Sequence, residues 1–181
     1  MNLKELCKIA STCVQCPLHK SRTNVVFGEG PENAKIMLVG EAPGKKEDET
    51  GKPFIGMAGR ILSEILHEAD LDRSQIYITS IVKCRPEGNR KPKKPEYSTC
   101  IDLYLNRQIE LINPDIIGLL GNSASYALIG KKNIKQIHGE IYNLNNREYM
   151  ALFHPAAALY SRVLLPQLKE DMVTLKKVTE S

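Results

Sequence analysis

No apolar run in this sequence approaches the ~18 residues that a membrane span requires, and no segment has the order of a secretory signal. Membrane-spanning and exported classes are set aside, and a cytoplasmic protein is expected. Internal repeats and low-complexity tails are lacking too. Strong charge of either sign is missing: the formal net charge of +4 is too mild to point to a polyanionic partner by itself. Neither a P-loop nor a dinucleotide fingerprint occurs, so a phosphate-binding enzyme fits poorly. Tryptophan is absent, which says nothing about growth temperature.

What is present suits one globular domain over residues 1–181 with a sizeable core: 42% of residues are hydrophobic and 25% charged, both ordinary proportions. Apolar runs at Ile36–Val39 and Ile116–Gly121 and the β-branched, aromatic stretch Gln75–Val82 predict strands. Gln136–Leu144 and Arg147–Phe153 predict two shorter strands joined by a turn at Asn145-Asn146. Helical spacing appears at Asn2–Ser11, Arg60–Ala69, Tyr97–Ile112 and Leu164–Val178. A short helix to Ile129 is expected to be capped by Asn122-Ser123, with Gly130 past its end. Alternation of this kind predicts a three-layer α/β/α domain with a mainly parallel central sheet.

Gly40–Gly59, GEAPGKKEDETGKPFIGMAG, lies between the first strand and the helix that follows. It holds five glycines, two prolines, four acids and one Phe. Glycine and proline along its whole course suit a shaped pocket wall rather than slack chain. Asp48 and Glu49 are expected to be solvated. Two other loops leave strand ends: the one after Val82, and the His154-Pro155 loop. With parallel strands all three gather at one sheet edge, the usual place for ligands. They predict a pocket lined by Glu41, Phe54, the end of the second strand and His154.

A basic run flanks that edge, with Arg85, Arg90, Lys91, Lys93 and Lys94 inside ten residues. Prolines among these lysines predict an extended, exposed loop rather than a helix, suited to phosphate contact. Cys13 and Cys16 form a CxxC, and Cys84 and Cys100 have fifteen residues between them. In a cytosolic chain this argues for metal before disulfide. Four thiolates suit structural zinc or a [4Fe–4S] cluster, and spacing does not choose between them. Either would tie the N-terminal segment to the body of the domain. Cys7 is expected as a small core residue of the first helix.

GEAPG at Gly40, GKPFIGMAG at Gly51, VKCRP with GNR from Val82 to Arg90, HPAAAL at His154 and the four cysteines stand together in one order. In that order and rough spacing the chain resembles the family 4, iron–sulfur-containing uracil-DNA glycosylases over nearly its whole length. The resemblance implies their fold, a [4Fe–4S] cluster on Cys13, Cys16, Cys84 and Cys100, and a monomer. It also implies hydrolysis of the N-glycosidic bond of uracil in single- or double-stranded DNA, leaving an abasic site. A uracil- or damaged-base-binding relative without turnover, or with altered specificity, is the alternative. An adduct-forming branch is disfavoured, because the loop after the second strand has no His. A replication-clamp contact is left open.

Roles follow from the matched positions. His154 is the expected leaving-group stabiliser, a neutral imidazole N–H serving at uracil O2. Phe54 is the expected stacking face, and Gly40–Gly44 bring backbone groups close to the base. Ala42 stands where other uracil glycosylase families have a water-activating Asp, so Glu41 is expected either to position the water or to hold the loop. Gly44 stands where those families have a Tyr against the thymine methyl, which makes Glu47 a candidate for excluding thymine. Ser80 occupies a position where many relatives have an Asn that reads the uracil edge. The hydroxyl works through a bridging water, or Asn89 takes over, or lesion range shifts. His19, His67 and His138 are expected to be structural or exposed.

Overall fold

The computed structural model describes residues Met1–Ser181. Its centre is a five-stranded sheet ordered β2-β1-β3-β5-β4. The strands are β1 (Ile36–Gly40), β2 (Ile76–Ser80), β3 (Ile116–Leu120), β4 (Ile141–Leu144) and β5 (Arg147–Leu152). The first four in spatial order run parallel, and β4 pairs antiparallel at the edge. Every residue of β1, β2 and β3 is buried, as expected of parallel strands covered on both faces. Asn145 and Asn146 join β4 to β5 with φ of 52° and 60°, the left-handed pair that a two-residue hairpin requires.

Strand alternation divides the core in two. Met37, Val39, Tyr77, Ile117 and Leu119 face one cluster, while Ile36, Leu38, Ile76, Ile78, Ile116 and Leu120 face the other. Helix α1 (Leu3–Ser11) packs on the first face through Leu3, Leu6 and Ala10. So does the long helical segment formed by α4 (Lys94–Cys100), a π-turn (Ile101–Leu105) and α5 (Asn106–Ile112). The second face carries α3 (Met57–Glu68) and α9 (Leu164–Glu180), through Leu62, Ile65, Leu66, Leu168, Met172 and Leu175. Helices thus cover both faces. Shorter helices complete the chain: α2 (Lys45–Thr50), α6 (Asn122–Ile129), α7 (Ile134–Ile137) and α8 (Ala157–Tyr160).

Several boundaries differ from expectation for identifiable reasons. The Gly40–Gly59 stretch is not loop throughout. Glu47 bonds back to the Gly44 amide at 3.0 Å and starts α2, and Gly51 at φ 76° stops it. Asp48 is buried, not solvated, because its carboxylate accepts from the amides of Thr23 and Asn24 at 2.8 and 3.2 Å. The lysine–proline run does enter a helix. Pro95 falls in the first turn of α4, where a missing N–H costs nothing, and Glu96 accepts from the Lys93 amide at 2.7 Å. Residues expected to begin the fourth strand form α7 instead, initiated when the Asn122 side chain accepts from the Ile134 amide at 2.9 Å. Gly121, not a side chain, occupies the cap position of α6. Cys7 is exposed on α1 rather than in the core.

Gly59 inside α3 has a packing role that its helical position hides. A Cβ there would lie 1.9 Å from the Phe54 carbonyl oxygen. In an open helix Gly→Ala gains about 1 kcal/mol. Here Gly59→Ala is expected to destabilise by about 1–3 kcal/mol through overpacking. Chemical denaturation reads the sign directly, and a rise in stability would show that Phe54 does not press on α3.

Candidate active site

Four parallel strands bring their carboxyl ends to one sheet edge. Gly40 and Ser80 are partners in the β1–β2 register. Leu120 and Leu152 are partners in β3–β5, so Gly121 and His154 follow on the same side. Glu41 leaves β1 between these pairs.

Phe54 closes the site from the Gly40–Gly59 stretch. Its ring meets the face of Gly40 so closely that a Cβ on Gly40 would lie 2.6 Å from the ring tip and 3.4 Å from the Ser80 hydroxyl. Its backbone holds φ at 47°, a strained setting for a bulky residue. Arg73 supports that strain. One guanidinium nitrogen donates to the carbonyls of Phe54 at 2.7 Å and Pro53 at 3.1 Å. The other donates to the Ser63 hydroxyl at 2.7 Å and the Gly59 carbonyl at 3.1 Å. The Phe54 and His154 ring centres are 5.7 Å apart with planes tilted by 33°.

His154 is half-buried, and the Ala156 amide donates to its Nδ1 at 3.0 Å. An accepting Nδ1 places the proton of the neutral ring on Nε2. Burial holds the imidazole below its ordinary value of 6.5, with the Glu41 charge a smaller effect in the other direction. Glu41 is half-buried, and its Oε2 accepts from the Ser123 hydroxyl on α6. Sequence reading treated Ser123 only as a cap; no local pattern reveals a partner 82 residues away.

Ser80 is buried at the end of β2, and its carbonyl accepts from Lys83 at 2.8 Å. The Lys83 ammonium is fully buried and also donates to Thr79 Oγ1 at 2.5 Å. Burial lowers Lys83 to about 8. Ala42 and Gly44 are half-buried in the β1 loop. Both oxygens of Glu47 are engaged by the loop itself. Oε1 accepts from Gly44, and Oε2 from Ile55 and Gly56 at 3.1 and 2.8 Å. This carboxylate organises the wall. Asn89 is exposed at φ 56°, and its side-chain oxygen accepts from Arg85 Nε at 2.7 Å.

In the basic run, Arg90 grips buried Glu96 through two bonds of 2.7 and 2.9 Å. Lys91, Lys93 and Lys94 are exposed, and Arg85 is half-buried. The run therefore combines one arginine paired with Glu96, one half-buried arginine and three lysines that face solvent.

Cys13, Cys16, Cys84 and Cys100 all line one small pocket partly open to solvent. Lys83, Arg22 and Tyr104 line it as well. Arg22 donates to the Cys13 carbonyl at 2.6 Å and to the Cys84 sulfur at 3.4 Å. None of the five cysteines is in a disulfide. The remaining histidines stand elsewhere: Nδ1 of His19 is 2.7 Å from the Cys16 carbonyl, His138 pairs with Asp171 at 2.8 Å, and His67 is exposed.

Comparison with known proteins places these features in a family context. Residues 27–174 match the family model described as the uracil DNA glycosylase superfamily. A type-4 uracil-DNA glycosylase of Saccharolobus solfataricus is 41% identical, covering 99% of this chain and 88% of that protein. Type-4 enzymes of Thermotoga maritima and Archaeoglobus fulgidus are 44% and 39% identical. The alignments cover 88% and 99% of this chain, and 86% and 92% of those proteins.

The imidazole geometry makes a spectroscopic prediction. At neutral pH, ¹⁵N spectra should show His154 uncharged, with Nδ1 bare and Nε2 protonated, and a titration midpoint below 6.5. The unfolded chain then binds more protons than the native one between that midpoint and the ordinary value. The His154 contribution to stability is complete above 6.5 and is lost as pH falls through the folded midpoint. A midpoint above 6.5, or a proton on Nδ1, would contradict the geometry.

Proposed function

The chain belongs to the uracil-DNA glycosylase superfamily, in its type-4 branch, and from that membership and the site just described we propose that it excises uracil from DNA by hydrolysing the N-glycosidic bond. The observation that carries this reading is the meeting of Phe54, His154 and Glu41 at one sheet edge, with the His154 proton held on Nε2.

A base stacked in duplex DNA must first be extruded into the site. Phe54 offers it a ring face, and the absence of a side chain on Gly40 lets that ring close on the strand end. As C1′–N1 breaks, its electron pair passes to uracil, and negative charge grows on O2. Nε2–H of His154 donates there, an interaction stronger in the transition state than in the ground state. Water bonds to C1′ and yields its proton to Glu41, the carboxylate at the same sheet edge. Uracil leaves as the anion and takes up a proton from solvent, Glu41 returns one, and the product is an abasic site. Lys91, Lys93 and Lys94 contact phosphates. Tyr160 and Val163, 91% and 75% exposed just beyond the His154 turn, form an apolar edge able to fill the gap that a flipped nucleotide leaves.

The donor set and the cavity fit a thiolate-held group. Cys13, Cys16, Cys84 and Cys100 border it together, a donor set that either structural zinc or a [4Fe–4S] cluster takes. Membership of the type-4 branch favours the [4Fe–4S] cluster. When bound, the cluster cross-links the N-terminal segment, the start of the basic run and the end of α4.

A labelled oligonucleotide with one uracil, treated with alkali to reveal abasic sites, tests the activity. Iron-loaded wild type is expected to excise uracil, and His154→Ala to lower kcat by ~10²–10³-fold. No excision by wild type would leave the binding-only reading. Ser80 supports a second test, since one hydroxyl reads a base edge less specifically than an amide. Ser80→Asn should sharpen discrimination of uracil against cytosine and hypoxanthine in competition assays. Unchanged ratios would remove residue 80 from base selection.

A further inference from the structure

We propose that Ser123 is a positioning residue for the hydrolytic water, acting through Glu41, and that the Gly121–Ser123 turn sets the geometry of Glu41 and His154 together. This rests on the water-activating reading of Glu41.

The turn lies at the end of β3, the strand between those that carry Glu41 and His154. Each of its residues has a separate contact. Gly121 sits at φ 92°, donates to the Leu152 carbonyl at 2.8 Å, and packs on His154 so tightly that a Cβ would lie 3.0 Å from that of the histidine. Asn122 fixes the turn from outside by accepting from the Ile134 amide. Ser123 donates its hydroxyl to Oε2 of Glu41.

That last bond decides what the carboxylate can do. A glutamate on a loop has three side-chain torsions, and a general base must hold one oxygen near the water through the reaction. With Oε2 engaged by Ser123, rotation about the carboxylate is fixed. Oε1 accepts no hydrogen bond from the protein and is not sealed in the interior, so it is the oxygen left for water. Because the same turn presses on His154, the base and the leaving-group donor keep a set separation although 113 residues separate them in sequence (154 − 41). Other side chains that contact loop 40–59 from outside, such as Asn24 and Arg73, hold its backbone. Ser123 alone binds the Glu41 carboxylate.

Single-turnover excision with Ser123→Ala, Ser123→Thr, Glu41→Gln and the Ser123→Ala/Glu41→Gln double variant tests this. Ser123→Ala is expected to lower the chemical rate about 10–100-fold, the scale of a small misplacement of a reacting group. DNA affinity should change by less than about twofold, since the pair is assigned to water and not to binding. Thr should restore most of the rate. In the Glu41→Gln background, Ser123→Ala should add little further loss. A wild-type rate for Ser123→Ala beside an impaired Glu41→Gln overturns the proposal while leaving Glu41 in place. Multiplicative losses overturn it too, because Ser123 would then act independently. A fully active Glu41→Gln removes the reading of Glu41 and the proposal with it. If Ser123→Ala fails to fold, Thr and Val at 123 give the same comparison, being alike in shape and differing in the hydroxyl.

Discussion

Gly40 lies opposite Ser80, and Leu120 opposite Leu152, in ladders of parallel strands that all run the same way. Parallel pairing makes the carboxyl ends of neighbouring strands coincide. Every side chain at the site inherits its place from that row: Ser80 ends β2, Glu41 leaves β1, Ser123 follows β3, and His154 follows β5. Burial on both faces supports the row, because apolar residues alternate between two clusters and a slip of one residue would exchange them. The site thus needs no long-range device beyond the sheet itself. What the sheet cannot do is fix the side chains that project past its edge.

That task falls to charged groups turned inward. Glu47 accepts from three backbone amides and Asp48 from two. Glu96 accepts from the Lys93 amide and from Arg90, and Arg73 gathers three carbonyls and a hydroxyl. Each bond from a charged group to backbone is worth about 1.5–3 kcal/mol when buried. Together they hold a glycine-rich wall whose sequence would otherwise favour mobility. The strained φ of Phe54 persists because Arg73 binds the carbonyl on one side and Gly59 leaves room for it on the other. An ordered wall lowers the entropic cost of presenting a stacking ring to a flipped base.

The elements that sequence made legible are those whose signal is local. Continuous apolar runs marked β1 and β3, and helical periodicity marked the layers. Motifs in fixed order marked Phe54, His154 and the four cysteines. What sequence left hidden around the site has a common cause: a polar side chain whose partner is distant or is backbone. Asp48 read as a solvated acid because the amides of Thr23 and Asn24 that bury it lie about 25 positions earlier. Glu47 was expected as a candidate for excluding thymine, and nothing in EDET tells that its oxygens fold back on Gly44, Ile55 and Gly56. Arg90 was expected at phosphates, and its pairing with Glu96 has no local signal either. Ser123 carried only a cap signal, and Arg73 no motif at all. Pro95 misled in the opposite sense, since proline excludes helix interiors but suits a first turn.

Lys83 shows why the cysteine cavity and the base site should be considered one structure. Burying an ammonium costs several kcal/mol unless it is well paired, and Lys83 has one hydroxyl and one carbonyl within reach. Lys83 also lines the pocket that the four cysteines border. Lys83 in turn binds the carbonyl of Ser80, the last residue of β2 and the neighbour of Phe54 across Gly40. The cysteine side of the molecule is therefore joined by two short bonds to the end of β2. Through Lys83 the order of that strand end is coupled to the packing of the cysteine segment.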